Sequence, residues 1–243
     1  MAWAQVQTLN GSETAISGAT LSATFASNVI SGNRILLFTA HYENPATNIA
    51  TPTSSPSLTW TKLAEAQVTS GSDNVWAAVW SAVVASTGTL QISVVNTGGS
   101  GHEVGWTAGE YSGLDGSAGT GCVDVSATGT GVTNGAATTS VSTGTTAATH
   151  AANQLAVAVY GDWGAALTIT APTGFTKQAG LSRDAAVDAG QCVATKTSAN
   201  AATEGGTFTY TSTSLDATAL VLVIKLAAAA VTTANIAYGY GPN

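Results

Sequence analysis

The sequence predicts an all-β fold, a sandwich or barrel of mostly antiparallel strands, and three observations predict it. Small and β-branched residues dominate, with 27 glycines in 243 positions, a composition that suits strands and tight turns rather than helices. A dozen short apolar or alternating runs are separated by Gly-, Ser- and Asn-rich punctuation, the pattern of sandwiches and barrels. The chain also reads twice. Asn33-Arg34-Ile35-Leu36-Leu37-Phe38 returns as Asn153-Gln154-Leu155-Ala156-Val157-Ala158, and Leu58-Thr59-Trp60-Thr61-Lys62 returns as Thr173-Gly174-Phe175-Thr176-Lys177. Gly88-Thr89-Leu90-Gln91-Ile92 returns as Gly206-Thr207-Phe208-Thr209-Tyr210, and 104–111 matches 217–224. The offsets are 120, 115, 118 and 113, a drift that loop insertions produce. A repeat of this length is a structural unit rather than a solenoid turn of roughly 20–50 residues.

The strands follow in order. The first half places them near 20–25, 35–41, 58–66, 75–84, 89–95 and 104–111. The second half places them near 137–141, 155–160, 174–179, 191–197, 207–211 and 219–226, with a further strand at 123–128 joining the halves. Turn residues separate them at Ser31-Gly32-Asn33, Ser70-Gly71-Ser72-Asp73, 96–101, Asn134-Gly135 and Glu204-Gly205-Gly206. No helix longer than a turn is expected; the alanines at 227–230 suit one short turn.

The expected organisation is one body, 1–226, made of halves of about six strands at 5–115 and 120–226. The junction at 112–136 has no charge run or proline and carries a strand-like piece, which favours a shared core. Two tandem sandwiches of about 115 residues each are the alternative. Residues 227–243 form an arm outside the repeat. Ile236, Tyr238 and Tyr240 on that arm are candidate assembly residues, because exposed aromatics among glycines want a surface to sit on.

Composition excludes several function classes. Charged residues make up 8%, against roughly 25% in ordinary globular proteins. The net charge is −7, and the six bases Arg34, Lys62, Lys177, Arg183, Lys196 and Lys225 stand singly. No basic face exists to neutralise phosphates or anionic lipid, so neither nucleic acid nor membrane is an expected partner. The start, Met1-Ala2-Trp3-Ala4-Gln5, lacks the basic and apolar regions of a signal peptide. Lys225 interrupts the most apolar stretch, 217–231, so no span of about 18 apolar residues is formed. Cys122 and Cys192 are too few for a disulfide scaffold or zinc site, and Cys192 is expected in the core where Trp76 stands in the other half.

No catalytic residue, metal ligand set or cofactor is expected. G-x-S-x-G, Walker and G-x-G-x-x-G patterns do not occur, and His41, His102 and His150 are far apart. Glu103 and Glu110 would face opposite sides of one strand, which is no glycosidase pair. Asp73, Asp184 and Asp188 fall in matched loops but lack the dense oxygen set of a calcium site. Trp60 at a matched repeat position reads as core, and Trp76 and Trp80 share a parity. Asp162 and Trp163, at a strand end beside a turn, are the candidate binding residues.

Four segments look familiar together: Gly32-Asn33-Arg34-Ile35-Leu36, Leu58-Thr59-Trp60-Thr61-Lys62, Glu110-Tyr111-Ser112-Gly113-Leu114-Asp115 and Val123-Asp124-Val125-Ser126-Ala127-Thr128. Over residues 5–226 the chain resembles jelly-roll-like β-sandwich modules of bacteriophage virion proteins and of some large bacterial surface proteins. The resemblance implies a jelly-roll-like antiparallel sandwich and a non-enzymatic capsid-decoration or tail-associated subunit. It also implies assembly in the host cytoplasm into the virion, with copies of itself and other virion proteins as partners. A low-charge Thr/Ser/Ala surface fits such packing, since few charges need desolvation. A carbohydrate-binding or adhesion module, contacting a host surface glycan, is the alternative; a glycan-cleaving enzyme lacks its carboxylate pair.

Overall fold

The computed structural model describes residues 2–14, 18–43, 49–70, 73–97, 103–133, 138–163, 168–183, 189–211 and 216–228. Among these described residues sixteen strands are formed, eight in each half. The first eight are β1 (Ala4–Thr14), β2 (Thr20–Thr24), β3 (Arg34–Glu43), β4 (Thr53–Ser55), β5 (Thr61–Ser70), β6 (Asp73–Val83), β7 (Gln91–Val95) and β8 (Glu103–Ser112). The second eight are β9 (Val123–Thr128), β10 (Ser140–Ala148), β11 (Gln154–Trp163), β12 (Ile169–Thr170), β13 (Thr176–Lys177), β14 (Ala189–Ser198), β15 (Thr203–Tyr210) and β16 (Asp216–Ile224). Two single 3-10 turns, Gly119–Cys122 and Ala179–Leu181, are the only helical elements among the described residues.

The strand order repeats without exception. The first half has sheets β1-β8-β3-β6-β5 and β2-β7-β4; the second has β9-β16-β11-β14-β13 and β10-β15-β12. Adding eight to each label of the first pair gives the second pair. All strand pairings are antiparallel, so the predicted all-β antiparallel class is the observed one. The count of six strands per half is corrected to eight. β1 was not placed by sequence because Ala-Gln-Val-Gln-Thr-Leu-Asn alternates weakly and is broken by irregularities at Gln5/Gln7 and Asn10/Glu13. β4 and β12 are three and two residues long, below what periodicity can register.

Three cores separate four layers. Leu37, Trp80, Trp106 and Ile92 fill the space between the two sheets of the first half. Tyr160, Val221, Phe208 and Tyr210 do the same in the second. The third core lies between the two five-stranded sheets, which pack back to back through Leu36, Phe38, Val79, Val157, Val193 and Leu222. Each half is thus a sandwich with its own core, and the halves also share one. Burial on both faces explains the unbroken apolar runs. Ile35 to Phe38, Leu155 to Tyr160 and Ala219 to Ile224 are all wholly buried, whereas an antiparallel sheet with one wet face alternates. Each large aliphatic side chain in this layer contributes roughly 1.5–3 kcal/mol by burial.

The register corrects one of the repeat offsets. Leu37 pairs with Ala108 and Trp80 in the first half, and Ala158 with Val221 and Ala194 in the second. Since Ala108 matches Val221 at the offset of 113, Leu37 matches Ala158, an offset of 121 and not 120. A slip of one residue exchanges the two faces of a strand. With 121, Leu36 and Phe38 fall on Val157 and Val159, all four in the shared core. The counterpart of Trp76 becomes Gly190, and that of Cys192 becomes Ala78. Cys192 is core as expected, and both cysteines are buried outside any disulfide, in different layers.

Counterparts also touch each other. Gly161 lies on Ala40, so close that a Cβ there would come within 3.2 Å of the Ala40 methyl and 2.9 Å of the Trp76 carbonyl oxygen. Two positions further along, Trp163 stacks on Tyr42 with ring centroids 4.2 Å apart. Residues that meet their own counterparts mark an isologous, two-fold relation. Because the contact continues along both strands, the pseudo-axis runs with β3 and β11.

Candidate functional site

Asp162 and Trp163 end β11, and the structure puts both to use inside the body. Asp162 is wholly buried. Its Oδ1 accepts from the Gly190 N–H at 2.8 Å and its Oδ2 from the Tyr160 hydroxyl at 2.7 Å. Burial and the adjacent carboxylate push the Tyr160 hydroxyl far above the ordinary tyrosine range. Trp163, half-buried, gives one face to Tyr42 and packs with Val68 and Val75 across the halves. Asp162 ties β11 to its sheet neighbour β14, and Trp163 joins the two halves. The arm residues Ile236, Tyr238 and Tyr240 lie outside the described residues, as do His102, Asp184 and Asp188.

The other residues weighed from sequence are structural. Trp60 and Phe175 are both buried at matched positions. Trp76 and Trp80 share the inner face of β6, and Lys62 lies over the Trp80 ring. Glu110 is wholly buried and gathers Gln7 Nε2 (2.6 Å), Asn33 Nδ2 (2.7 Å) and the Ile30 N–H (2.8 Å). It ties β1, β8 and the segment before β3 together. Arg34 lines a groove of about 270 Å³ with Thr59 and Ser117. Its guanidinium is spent on the junction, donating to the carbonyls of Asp115 and Ser117 and to Ser81 Oγ.

A second cavity, of about 250 Å³, is lined by Asp124, His150, Ala151, Ala152, Gln154, Lys225 and Leu226. The sheet order assembles it: β9 and β11 flank β16, so Asp124 on β9, Gln154 at the start of β11 and Lys225 just past β16 come together. The Asp124 side chain is 1% exposed and the His150 ring 75%. Asp124 Oδ1 meets His150 Nδ1 at 2.5 Å, and Oδ2 accepts the His150 backbone N–H at 2.8 Å. Burial alone would raise the Asp124 carboxyl, but the His150 backbone and ring and the Gln154 side chain outweigh it and hold it below the ordinary range. With Nδ1 held, the exposed ring edge carries Nε2. Lys225 Nζ donates to the Gly121 carbonyl at 2.9 Å. Gln154 is 3% exposed, and its buried Oε1 has no hydrogen-bond partner among the described residues.

This cluster offers a basic edge, an ammonium and an unused carbonyl oxygen above an apolar floor of two alanines and a leucine. Sequence reasoning missed it, because His150 stands far from the other histidines and Asp124 is one position of an expected strand. The residues are separated by 26, 4 and 71 positions and carry no spacing motif. Among the described residues no three His, Cys, Asp or Glu side chains gather as a metal site. No family model, curated protein or solved structure matches the chain.

Proposed function

We propose that the protein is a non-enzymatic structural subunit that works by packing against copies of itself and other proteins of a particle, in the closest reading a bacteriophage virion protein of the capsid surface or tail. The observation that carries this is the pair of outer faces. The three-stranded sheets close the stack at opposite ends, and each turns an uncharged hydroxyl face outward. Thr20, Ser22, Thr24, Thr53 and Ser55 are exposed on one, with Ser22 Oγ bonded to Ser93 Oγ at 2.7 Å across strands. Thr170, Thr207 and Thr209 are exposed on the other. Flat faces without charge need little desolvation to pack, and a duplicated body presents two of them, enough to link neighbours on both sides. The strand order supports the jelly-roll reading: β1-β8-β3-β6 against β2-β7-β4 is jelly-roll order, with β5 carried to the larger sheet.

Sedimentation of the purified chain over a wide concentration range tests this reading. The expected result is concentration-dependent association that Ser22→Glu together with Thr209→Glu abolishes, at unchanged thermal stability. A chain that stays monomeric at every concentration and does not join purified particles overturns it. Neighbouring genes for capsid, portal or tail proteins would support the virion assignment.

A further inference from the structure

We propose that the cavity between the ends of β9, β11 and β16 is a binding site for one sugar ring, recognised through a vicinal diol. The inference does not depend on whether the protein assembles. Three features carry it. The first is the space: about 250 Å³, room for a single hexose and too little for a larger ligand to be enclosed.

The second is the unused carbonyl oxygen. Gln154 is almost wholly buried, bonds Asp124 through its side chain, and leaves Oε1 without a partner among the described residues. A buried amide oxygen wants a donor. An anion cannot supply one, and a cation would stand beside the Lys225 ammonium. A neutral hydroxyl satisfies it.

The third is the complementary set around it. Asp124 fixes the His150 ring through Nδ1, so Nε2 is presented in one orientation. Lys225 uses one of its three N–H bonds on the Gly121 carbonyl and keeps donors for a ligand oxygen. A diol meets all of these at once. One hydroxyl donates to Gln154 Oε1, and its neighbour accepts from Lys225 Nζ and hydrogen-bonds His150 Nε2. The C–H face of the ring rests on Ala152 and Leu226. The pocket is open and small, so binding is expected in the millimolar range, as for other ligands of few atoms.

The test is a titration of the ¹⁵N-labelled full chain with methyl glycosides of glucose, galactose, mannose and N-acetylglucosamine, followed by chemical shift. The expected result is saturable shifts at Ala151, Ala152, Gln154 and Lys225 for at least one glycoside. Gln154→Leu and Lys225→Met should each weaken that binding at least tenfold, while Thr59→Val in the Arg34 groove leaves it unchanged. Amide spectra of each variant at the outset establish that it is folded. The proposal is overturned if no glycoside produces saturable shifts, or if the shifts centre on the Arg34 groove or on Trp163. It is equally overturned if glycine or acetate competes as well as the glycosides, since the site would then read charge and not a diol.

Discussion

The same position is buried in both halves with opposite chemistry. In the second half it is Asp162, whose carboxylate collects the Tyr160 hydroxyl and the Gly190 N–H. In the first half it is His41, wholly buried, stacked on Trp76 at 5.6 Å and 7°, with no hydrogen-bond partner for either ring nitrogen among the described residues. The cross-strand partners differ to match. Gly190 has no side chain, and a Cβ there would collide with Asp162 Oδ1 at 2.2 Å; Trp76 instead fills the space with a ring. One frame therefore tolerates a polar side chain inside by hydrogen bonding it, or by removing its charge and stacking it. Burial, and then the charge of Lys62, lower the His41 pKa to about 3, so the ring is neutral at neutral pH.

The broadest way to break the comparison is to separate the halves. If each sandwich were self-sufficient, cutting the junction between Gly113 and Gly135 would release two folded bodies. The shared core of Phe38, Val79, Val157, Val193 and Leu222 predicts otherwise. The cleaved chain should co-elute as one species and unfold in one transition, and isolated residues 1–115 should aggregate or self-associate through the exposed apolar face. Two independent unfolding transitions would show that the shared core contributes little.

Acid separates the two halves chemically. His41 has a folded pKa below its unfolded one, so the unfolded chain binds more protons between about pH 6.5 and pH 3, and stability falls as pH falls through that window. The full loss is about 5 kcal/mol at low pH on the usual conversion. About half of it arrives above pH 4.5. Denaturant unfolding at pH 7, 6, 5 and 4.5 should therefore show a steeper decline for the wild type than for His41→Phe, which keeps the stack on Trp76. Equal slopes would mean that His41 finds a partner when protonated.

How far the sequence carried can be seen at particular strands. The class was legible because β3, β11 and β16 are apolar runs bounded by turn residues, and burial on both faces was written in their lack of alternation. β2, with one wet face, alternates as Thr-Leu-Ser-Ala-Thr. β1 was illegible because it is an edge strand of mostly polar residues with two irregularities. The offset of 120 was misleading because a one-residue slip preserves similarity while turning every side chain over; only hydrogen-bonded register exposes it. Asp162 and Trp163 looked like binding residues because they end a strand beside a turn, a local property. Whether a second sheet lies against that end is not local. The Asp124, His150, Gln154 and Lys225 cluster is hidden for the same reason, since it exists only once β16 is placed between β9 and β11.

Contact between counterparts along the pseudo-axis gives two sharper tests. At Gly161 there is no room for a side chain, because the Trp76 carbonyl and the Ala40 and Ala77 methyls close the space. Gly161→Ala should cost about 1–3 kcal/mol as overpacking. The converse change at the matched position, Ala40→Gly, should restore part of that loss in the double variant, since it removes one of the three colliding groups. Two losses that simply add would show that the sheets do not approach each other here as closely as the frame requires.

The smallest expected effect lies two residues further on, at the Tyr42 and Trp163 stack. These counterparts sit one in each half, with ring planes 10° apart and centroids at 4.2 Å. Trp163 is only half-buried, so its removal leaves no sealed cavity, and Val68 and Val75 remain to cover Tyr42. A double-mutant cycle with Tyr42→Leu and Trp163→Leu isolates the ring–ring term from lost area, because leucine keeps most of the apolar contact. The coupling should be about 0.5–1.5 kcal/mol, the usual worth of an aromatic pair beyond its burial. It should also be independent of salt and of pH between 6 and 8, since neither ring titrates there. A coupling near zero would mean that each ring packs on its own half, and that the two-fold contact ends at Ala40 and Gly161.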